Sequence, residues 1–583
     1  MGPDRRTPGQ ELTSPLAQVV PDVASFAVDD GFTYRIPDDL AISVGSLVRI
    51  PLGGRRVRGF VTALHDRERP RLRQIVGRSG DFNVFTPAGL EALRWAAFHY
   101  VAPLSALLAK TAPPNVPKSE VGQTSASGAG TSSSIRFLLG AGPPELIEVA
   151  AADSERGQST VFVMPTVVEA VALETELGRK LGRGVQLATS SLGAKTVTDA
   201  WVASTSAPTT LVTTREGAFW PVHNLANAVV VDEARRGHKD KRMPTTHARD
   251  ILAKRAQLEG FRLMMTGSVP SGEALATGTR IQPASARPWG LIEVADRSAD
   301  PPGSGYFAMS VKRAISAVGK ESETVFVFTR RRGFAAAFRC VNCRELRTCA
   351  VCGAGSDTAE ACRRCSTPFR PCANCGQDRF EALGSGIGRT MEELKRVTDS
   401  VGVVGSGAHV VVGTEQDLPR LDPVRLAVVA DADGLLLAPS YRAGEEALRL
   451  MARVASAVEP GRGRRCIVQT NQPSHPAIEA LKRGDPMRFL EDHLRERSDA
   501  GFPPAGQLMV VESAEGPPAM DAELKAAAGS GVQVLGPIDI NDRQRWLIQG
   551  PDLLKLKVAL RPLVHSWRDG GARVRVDADP TDI

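Results

Sequence analysis

The hydrophobic rhythm of the chain changes several times along its length, and each change predicts a different kind of element. Residues 16 to 66 alternate apolar and polar positions between glycine and proline punctuation, as in Leu47-Val48-Arg49-Ile50-Pro51-Leu52 and Val57-Arg58-Gly59-Phe60-Val61. A period of two belongs to half-buried strands, and a small β-domain is predicted over 16–83. Thr86-Pro87 then offers an N-cap with proline at the first helical position, and Leu90, Leu93, Ala97 and Val101 share one helical face. A short helical, winged-helix-like module is predicted over 84–117. From Lys118 to Ser134 the chain turns to Ser, Gly and Thr, a composition that cannot offset the entropy of ordering itself. A flexible linker is expected over 118–134.

Beyond it come short apolar runs closed by polar turns: Phe137-Leu138-Leu139, Thr160-Val161-Phe162-Val163, Thr210-Leu211-Val212, Ala228-Val229-Val230-Val231 and Leu263-Met264-Met265. Between two of them Ala170, Leu173, Leu177 and Leu181 recur at helical spacing. Continuous apolar strands alternating with amphipathic helices predict a parallel, doubly wound sheet, placed over 135–299. A second set, from Val325-Phe326-Val327-Phe328 through Val410-Val411-Val412, Leu426-Ala427-Val428-Val429 and Ile467-Val468, predicts another over 300–505. The tail, 506–583, reads as a small α+β module in which Val532-Gln533-Val534-Leu535 is a short strand closed by the turn Gly536-Pro537.

Composition changes this picture little. A chain of 583 residues exceeds what one hydrophobic core supports. Its 42% hydrophobic and 23% charged residues are those of a folded, soluble protein, and a net charge of +7 is compatible with nucleic acid. Arginine gathers at Arg55-Arg56-Val57-Arg58, Arg330-Arg331-Arg332 and Arg462-Gly463-Arg464-Arg465, where planar forks can reach phosphates. No apolar stretch follows the N-terminus, so a cytoplasmic protein with no membrane association is expected.

Eight of the nine cysteines lie in four Cys-x-x-Cys knuckles: Cys340/Cys343, Cys349/Cys352, Cys362/Cys365 and Cys372/Cys375. One knuckle aims two thiolates at one ion, and two knuckles complete the four-sulfur shell of structural zinc. Two Zn²⁺ per chain are expected, holding the fold, because a closed shell leaves no position for water. An iron–sulfur cluster and redox cysteines are weaker alternatives. Between residues 330 and 379 there are ten arginines, no lysine and four acids. Even after two zinc-thiolate sites the segment stays basic. Cys466 stands alone in an apolar strand and reads as an inert buried thiol.

The acidic run Asp232-Glu233 after a strand is the kind of place where a nucleotide-driven motor holds magnesium. Such a motor also needs G-x-x-x-x-G-K-[ST] to cradle phosphates, and no stretch of the chain matches. Where that loop belongs, after Phe137-Leu138-Leu139, the chain reads Gly140-Ala141-Gly142-Pro143-Pro144-Glu145. Two prolines remove amide donors and the glutamate repels phosphate. Asp232 and Glu233 are therefore expected to be strand-end carboxylates, solvated or capping a helix. His238, His247 and His409 are assigned no chemistry.

In their order along the chain these pieces resemble the PriA family of primosomal replication-restart helicases. The resemblance rests on Phe32-Thr33-Tyr34 with Gly45-Ser46-Leu47-Val48-Arg49-Ile50-Pro51-Leu52-Gly53, on Thr213-Thr214-Arg215-Glu216-Gly217, and on Arg331-Arg332-Gly333-Phe334 leading into the cysteines. Val412-Gly413-Thr414-Glu415-Gln416, Gly501-Phe502-Pro503-Pro504 and Val574-Arg575-Val576-Asp577 continue it. It implies a multi-domain α/β fold: a β-domain that holds the 3′ end of a nascent strand, a helical module, two helicase-like α/β lobes with a zinc-binding insertion at 340–376, and a C-terminal α+β domain. It also implies that Cys340, Cys343, Cys372 and Cys375 bind one ion while Cys349, Cys352, Cys362 and Cys365 bind the other. Ser456-Ala457-Val458-Glu459-Pro460 replaces the family's arginine-finger segment, and Asp232-Glu233-Ala234-Arg235 its Asp-Glu-Glu-His.

The function expected first is a non-enzymatic restart protein that recognises branched or forked DNA and single-stranded DNA, working as a monomer. Its implied partners are single-stranded-DNA-binding protein and the primosome proteins that reload the replicative helicase. Candidate DNA contacts are Phe32, Arg55, Arg56, Arg58 and Trp546, the last lying beside Arg543 and Arg545 where it can stack a base. An ATP-dependent 3′–5′ helicase with an unconventional nucleotide site comes second, and a zinc-ribbon RNA-binding protein third.

Overall fold

The computed structural model describes residues 15–65, 71–117, 134–182, 184–284, 287–301, 304–320, 323–330, 337–351, 356, 360–362, 367–383, 387–540 and 542–581. The linker expected at 118–134 lies outside them except for Ser134, as do Arg331, Arg332, Gly333, Phe334, Cys352 and Cys365.

The N-terminal sheet is antiparallel, with order β2-β1-β4-β3-β5. Its strands are β1 (Leu16–Pro21), β2 (Phe32–Arg35), β3 (Ser46–Leu52), β4 (Arg55–His65) and β5 (Gly77–Asn83). Alternation divides its side chains between two cores. Val19, Val48, Ile50 and Val61 form a core of the sheet's own, while Leu47, Phe60 and Phe82 face α1 (Pro87–His99) and α2 (Leu104–Leu108). The Thr86 hydroxyl accepts the Gly89 amide at the start of α1, as the Thr-Pro signal predicts. No strand accompanies these helices between residues 84 and 117, all of which are described.

The first parallel sheet has order β12-β6-β11-β10-β7-β9-β8. Its strands are β6 (Ile135–Leu139), β7 (Ser159–Val163), β8 (Val185–Ala188), β9 (Thr210–Thr213), β10 (Leu225–Val230), β11 (Arg262–Gly267) and β12 (Arg280–Pro283). The crossover helices are α3 (Pro143–Glu155), α4 (Val167–Leu181), α5 (Ala194–Ser206) and α6 (Ala248–Glu259), and a short α7 (Gly272–Ala276) follows β11. Phe162, Val212, Val229 and Met264 pack under α3 and α4. Their neighbours Val161, Val163, Ala228, Val230 and Met265 pack on the opposite face with α6 and the N-terminal helices. Burial on both faces explains the unbroken apolar runs in the sequence.

The second parallel sheet has order β13-β20-β19-β14-β18-β17, with β13 (Ile292–Asp296), β14 (Val325–Phe328), β17 (Val401–Val403), β18 (Val410–Gly413), β19 (Leu426–Val429) and β20 (Arg465–Thr470). The short ladder β15 (Ala337–Cys340) and β16 (Phe380–Leu383) rises between β14 and β17. Helices α8 (Met309–Lys320) and α9 (Ile387–Lys395) cover one face. On the other lie α10 (Asp433–Leu436), α11 (Ala443–Ser456), α12 (Pro476–Arg483) and α13 (Met487–Asp499). One boundary needs correction: β13, expected within 135–299, pairs in parallel with β20. The crossing between the two sheets therefore precedes residue 292, and nothing in the short segment Ile292–Asp296 tells which sheet edge it will join.

The tail forms an antiparallel sheet, β22-β23-β21-β24, from β21 (Gln507–Ala514), β22 (Gln533–Ile540), β23 (Arg543–Gly550) and β24 (Arg573–Ala578), with α14 (Met520–Ala528) and α15 (Leu554–Asp569) against it. Gly536-Pro537, expected as a turn, lies inside β22, where the register with β23 shifts between Leu535 and Ile538. The pair makes a bulge and the strand continues. The core of this domain is continuous with that of the first sheet and the N-terminal helices, whereas the second sheet keeps its own cores. Among the described residues no helix is long and apolar enough to cross a membrane.

Candidate functional sites

Three regions carry the chemistry read from the sequence: the cysteine insertion, the arginine-bearing N-terminal sheet, and the seam between the parallel sheets.

In the insertion, β15 and β16 bring the first and last knuckles together, with Cys340 opposite Phe380 in the ladder. The Sγ atoms of Cys340, Cys343, Cys372 and Cys375 lie within 4.8 Å of one another. Cys340 to Cys375 and Cys343 to Cys372 are each 3.4 Å apart. A tetrahedron of thiolates around zinc has edges of about 3.8 Å, so these four fit one metal ion, grouped as the resemblance implies. Each knuckle is closed by backbone bonds, from the Cys340 amide to Glu345 O and from the Cys372 amide to Gln377 O. Within this coupled set the Gln377 backbone amide helps lower the Cys375 thiol, while at Cys343 the Glu345 backbone is outweighed by burial and the neighbouring thiols, which raise the thiol; a thiolate is the form that binds metal. Of the other expected set, Cys349 and Cys362 are buried, and their partners Cys352 and Cys365 lie outside the described residues. The insertion has a further anchor that sequence reasoning missed. The Arg347 guanidinium lies 4.9, 4.5 and 4.5 Å from the ring centres of Phe338, Phe369 and Phe380, a cage of aromatic faces around a cation.

On the N-terminal sheet Arg55 and Arg56 open β4 and are exposed. Arg58 is different, because its guanidinium is paired with Asp22 at 2.6 Å. Phe32 is 41% exposed on the edge strand β2. Through Val19 it is level with Val61, which puts it about 17 Å along the strand direction from Arg56. The structure does not gather these residues into one site. Trp546 is corrected outright: it is 0% exposed and its indole N–H donates to Asp521 Oδ1 at 3.0 Å. No base can stack on it. Its alternation with Arg545 on β23 fits a buried face as well as an exposed one, and only the packed sheet tells which.

At the seam the carboxylates after β10 depart from expectation. Asp232 has a left-handed backbone, φ +52°, which turns it toward α11. Glu233 is 0% exposed; it accepts from Arg249 Nη1 and from the Ser271 hydroxyl, each at 2.6 Å. Neither residue is a solvated strand end. Asp232 meets Arg453 at 3.1 Å, and Arg453 also reaches Glu169 on α4 at 3.5 Å and Glu415 after β18 at 2.7 Å. Arg235 bonds Glu169 at 2.6 Å and approaches Glu415 at 3.5 Å, and Arg449 holds Glu415 at 3.0 Å. A second group lies beside it. Glu273 on α7 takes both terminal nitrogens of Arg442 at 2.6 Å, and Arg497 bridges Glu273 at 3.0 Å and Glu445 at 2.7 Å. Burial raises the Glu273 carboxyl, but the Arg442 guanidinium outweighs it and holds the group well below the usual carboxylate range, whereas burial and the nearby Glu273 push Glu445 up. The sequence carried one signal for this, Arg449 and Arg453 four residues apart on the otherwise apolar stripe of Leu448, Met451 and Ala452 in α11.

The loop expected to lack phosphate chemistry is also closed by its own residues. Gly140 has φ +74°, and a Cβ there would meet Pro288 Cα at 2.8 Å. The Gly142 amide donates to the Glu145 carboxylate at 2.8 Å, so a negative side chain takes the donor at the start of α3. His238 and His247 are core residues. Burial pushes His238 down to about 4, and His238 Nε2 lies 2.7 Å from Val231 O.

Residues 18–113, comprising the N-terminal sheet from within β1 and both helices after it, match the model of the 3′ DNA-binding domain (3′BD) of PriA. Over most of its length the chain is similar to replication restart proteins of the PriA family. The replication restart protein PriA of Treponema pallidum is 24% identical over 675 residues, an alignment covering 98% of this chain and 100% of the relative. PriA of Synechocystis is 23% identical over 517 residues, covering 76% of this chain but 62% of the relative. The probable PriA of Mycobacterium tuberculosis is 27% identical over 381 residues, 58% of each chain. Among solved structures, RecG bound to a three-way DNA junction overlaps 71% of this chain and 47% of its own at 11% identity, with a TM-score of 0.35. That overlap is too weak to build on.

Proposed function

We propose that this PriA-family protein recognises branched DNA at stalled replication forks and helps reload the replicative helicase there, without a nucleotide-driven motor of its own. The observation that carries the reading is the match of residues 18–113 to the PriA 3′ DNA-binding domain, on a sheet whose hairpin displays Arg55 and Arg56 to solvent. Exposed guanidiniums bind the phosphate backbone and position the protein, while the geometry of the branch supplies selectivity.

Loss of the motor is supported by three features of one chemical task. There is no lysine-bearing phosphate loop in the sequence, Pro143 and Pro144 lack amide donors at the start of α3, and the Glu145 carboxylate takes the Gly142 amide. The two parallel sheets then serve as a helicase-like scaffold. Two structural zinc ions per chain would brace the insertion, one held by Cys340, Cys343, Cys372 and Cys375 and the other by Cys349, Cys352, Cys362 and Cys365. Zinc supplies cross-links there and no reaction. The partners on this reading are single-stranded-DNA-binding protein and the primosome proteins that load helicase, met in the cytoplasm by a monomer.

The test measures, on one purified sample of the full chain, anisotropy of labelled fork, duplex and single-stranded DNA together with phosphate release from ATP. Tight fork binding with phosphate release at background is the expected result. Fork-stimulated ATP turnover abolished by Asp232→Asn would establish the active-helicase alternative, and preference for structured RNA over a fork would overturn the DNA reading.

A further inference from the structure

The seam between the two parallel sheets is closed by charge. The first sheet's body offers Glu169, Asp232 and Glu273, and the second's offers Arg453, Arg442 and Arg497, joined at 3.5, 3.1, 2.6 and 3.0 Å. Arg235 crosses in the opposite direction to Glu415 at 3.5 Å. These arginines are nearly buried, Arg497 being 2% exposed. The apolar contribution is small: Val269 is the one residue of α7 and its approach that joins the second sheet's core as a fully buried member, with Leu275 packed at its edge.

Lobes that open and close around a small charged ligand need seam charges left for that ligand to neutralise. Here the charges pair with each other: Arg442 and Arg497 hydrogen-bond Glu273 across the seam, while Arg453 and Arg235 reach across it in ion pairs with Glu169, Asp232 and Glu415. We infer that the seam is a standing latch: the two sheets remain closed on each other with no nucleotide present, held by arginine forks where a bound ligand would otherwise mediate the contact. The consequence is a nucleic-acid platform of fixed shape. Its geometry is set at folding and does not cycle. This goes beyond the proposed DNA function and does not require it.

The latch predicts where the protein fails. Neutralising Glu273 leaves Arg442 without its carboxylate and Arg497 with Glu445 alone, a buried excess of positive charge that opening to water relieves. The experiment is single-molecule energy transfer in the full chain, with dyes attached through an azide-bearing residue at Lys180 on α4 and another at Lys395 on α9, both exposed. No DNA is present, so the outcome is independent of fork binding. The free protein is expected to show one narrow distance population, unmoved by millimolar magnesium and a non-hydrolysable ATP analogue. In Glu273→Gln the ratio of open to closed molecules rises roughly 100-fold, and Arg453→Met opens the seam from the other side. Unchanged circular dichroism and metal content show that the variants are folded. The inference is overturned if the wild-type protein samples two separations, if the analogue shifts it, or if both folded variants stay as narrow as the parent.

Discussion

Glu415 offers a quantitative check on the electrostatics of the seam. Burial pushes its carboxyl up, but Arg449, Arg453 and Arg235 outweigh this and bring it from an ordinary 4.5 to about 2. At about 1.4 kcal/mol per unit this difference amounts to about 3 kcal/mol of folding stability at neutral pH. The side chain is 32% exposed, and screening by water reduces the figure to about 2 kcal/mol. Glu415→Gln should remove it. Because the folded value lies below the unfolded one, the stabilisation is complete above pH 4.5 and is lost as pH falls toward 2. The wild-type advantage over Glu415→Gln should therefore shrink by about a quarter at pH 4 and by roughly 60% at pH 3. The assay is urea unfolding of the two proteins at pH 7, 5, 4 and 3, following the transition of the parallel sheets by tryptophan fluorescence. A difference below about 0.5 kcal/mol at pH 7, or one that grows on acidification, would refute the reasoning.

Other consequences are simpler to read. Cys372→Ser should cost one equivalent of bound metal by elemental analysis, from about two to about one per chain, while Cys466→Ser should cost none. Cys466, buried and pushed up to about 12, should resist a thiol reagent until the chain unfolds. Trp546→Ala should destabilise the C-terminal sheet by about 3 to 5 kcal/mol, while Trp546→Phe, if folded, should bind single-stranded DNA as the parent does; loss of affinity in that conservative variant would restore a stacking role. Replacing Arg55 and Arg56 together by Ala should weaken fork binding at every sequence tested and flatten the slope of log affinity against log salt by about one to two.

Local signals in the sequence were enough for much of the architecture. Thr86-Pro87 marks a helix start because capping is a contact within one turn. The unbroken runs at Val161-Phe162-Val163 and Val410-Val411-Val412 mark parallel strands because both faces of such a strand are buried. The first and last Cys-x-x-Cys knuckles, which the structure brings into one group that could hold a metal ion, are legible because each needs only its own turn. What the chain order could not decide were contacts between segments far apart. Trp546 and Arg545 differ by one position, and which of them faces the core depends on the strand that pairs beside them. Strand β13 could have closed either sheet until β20 was seen next to it. The seam is the clearest case: Glu169, Asp232, Glu415 and Arg453 span almost three hundred positions, and none of them carries a local mark of its partner. Coulomb attraction acts through space, so only the folded chain, by closing one sheet upon the other, brings these charges within ion-pair distance and turns separate surface-type residues into a latch.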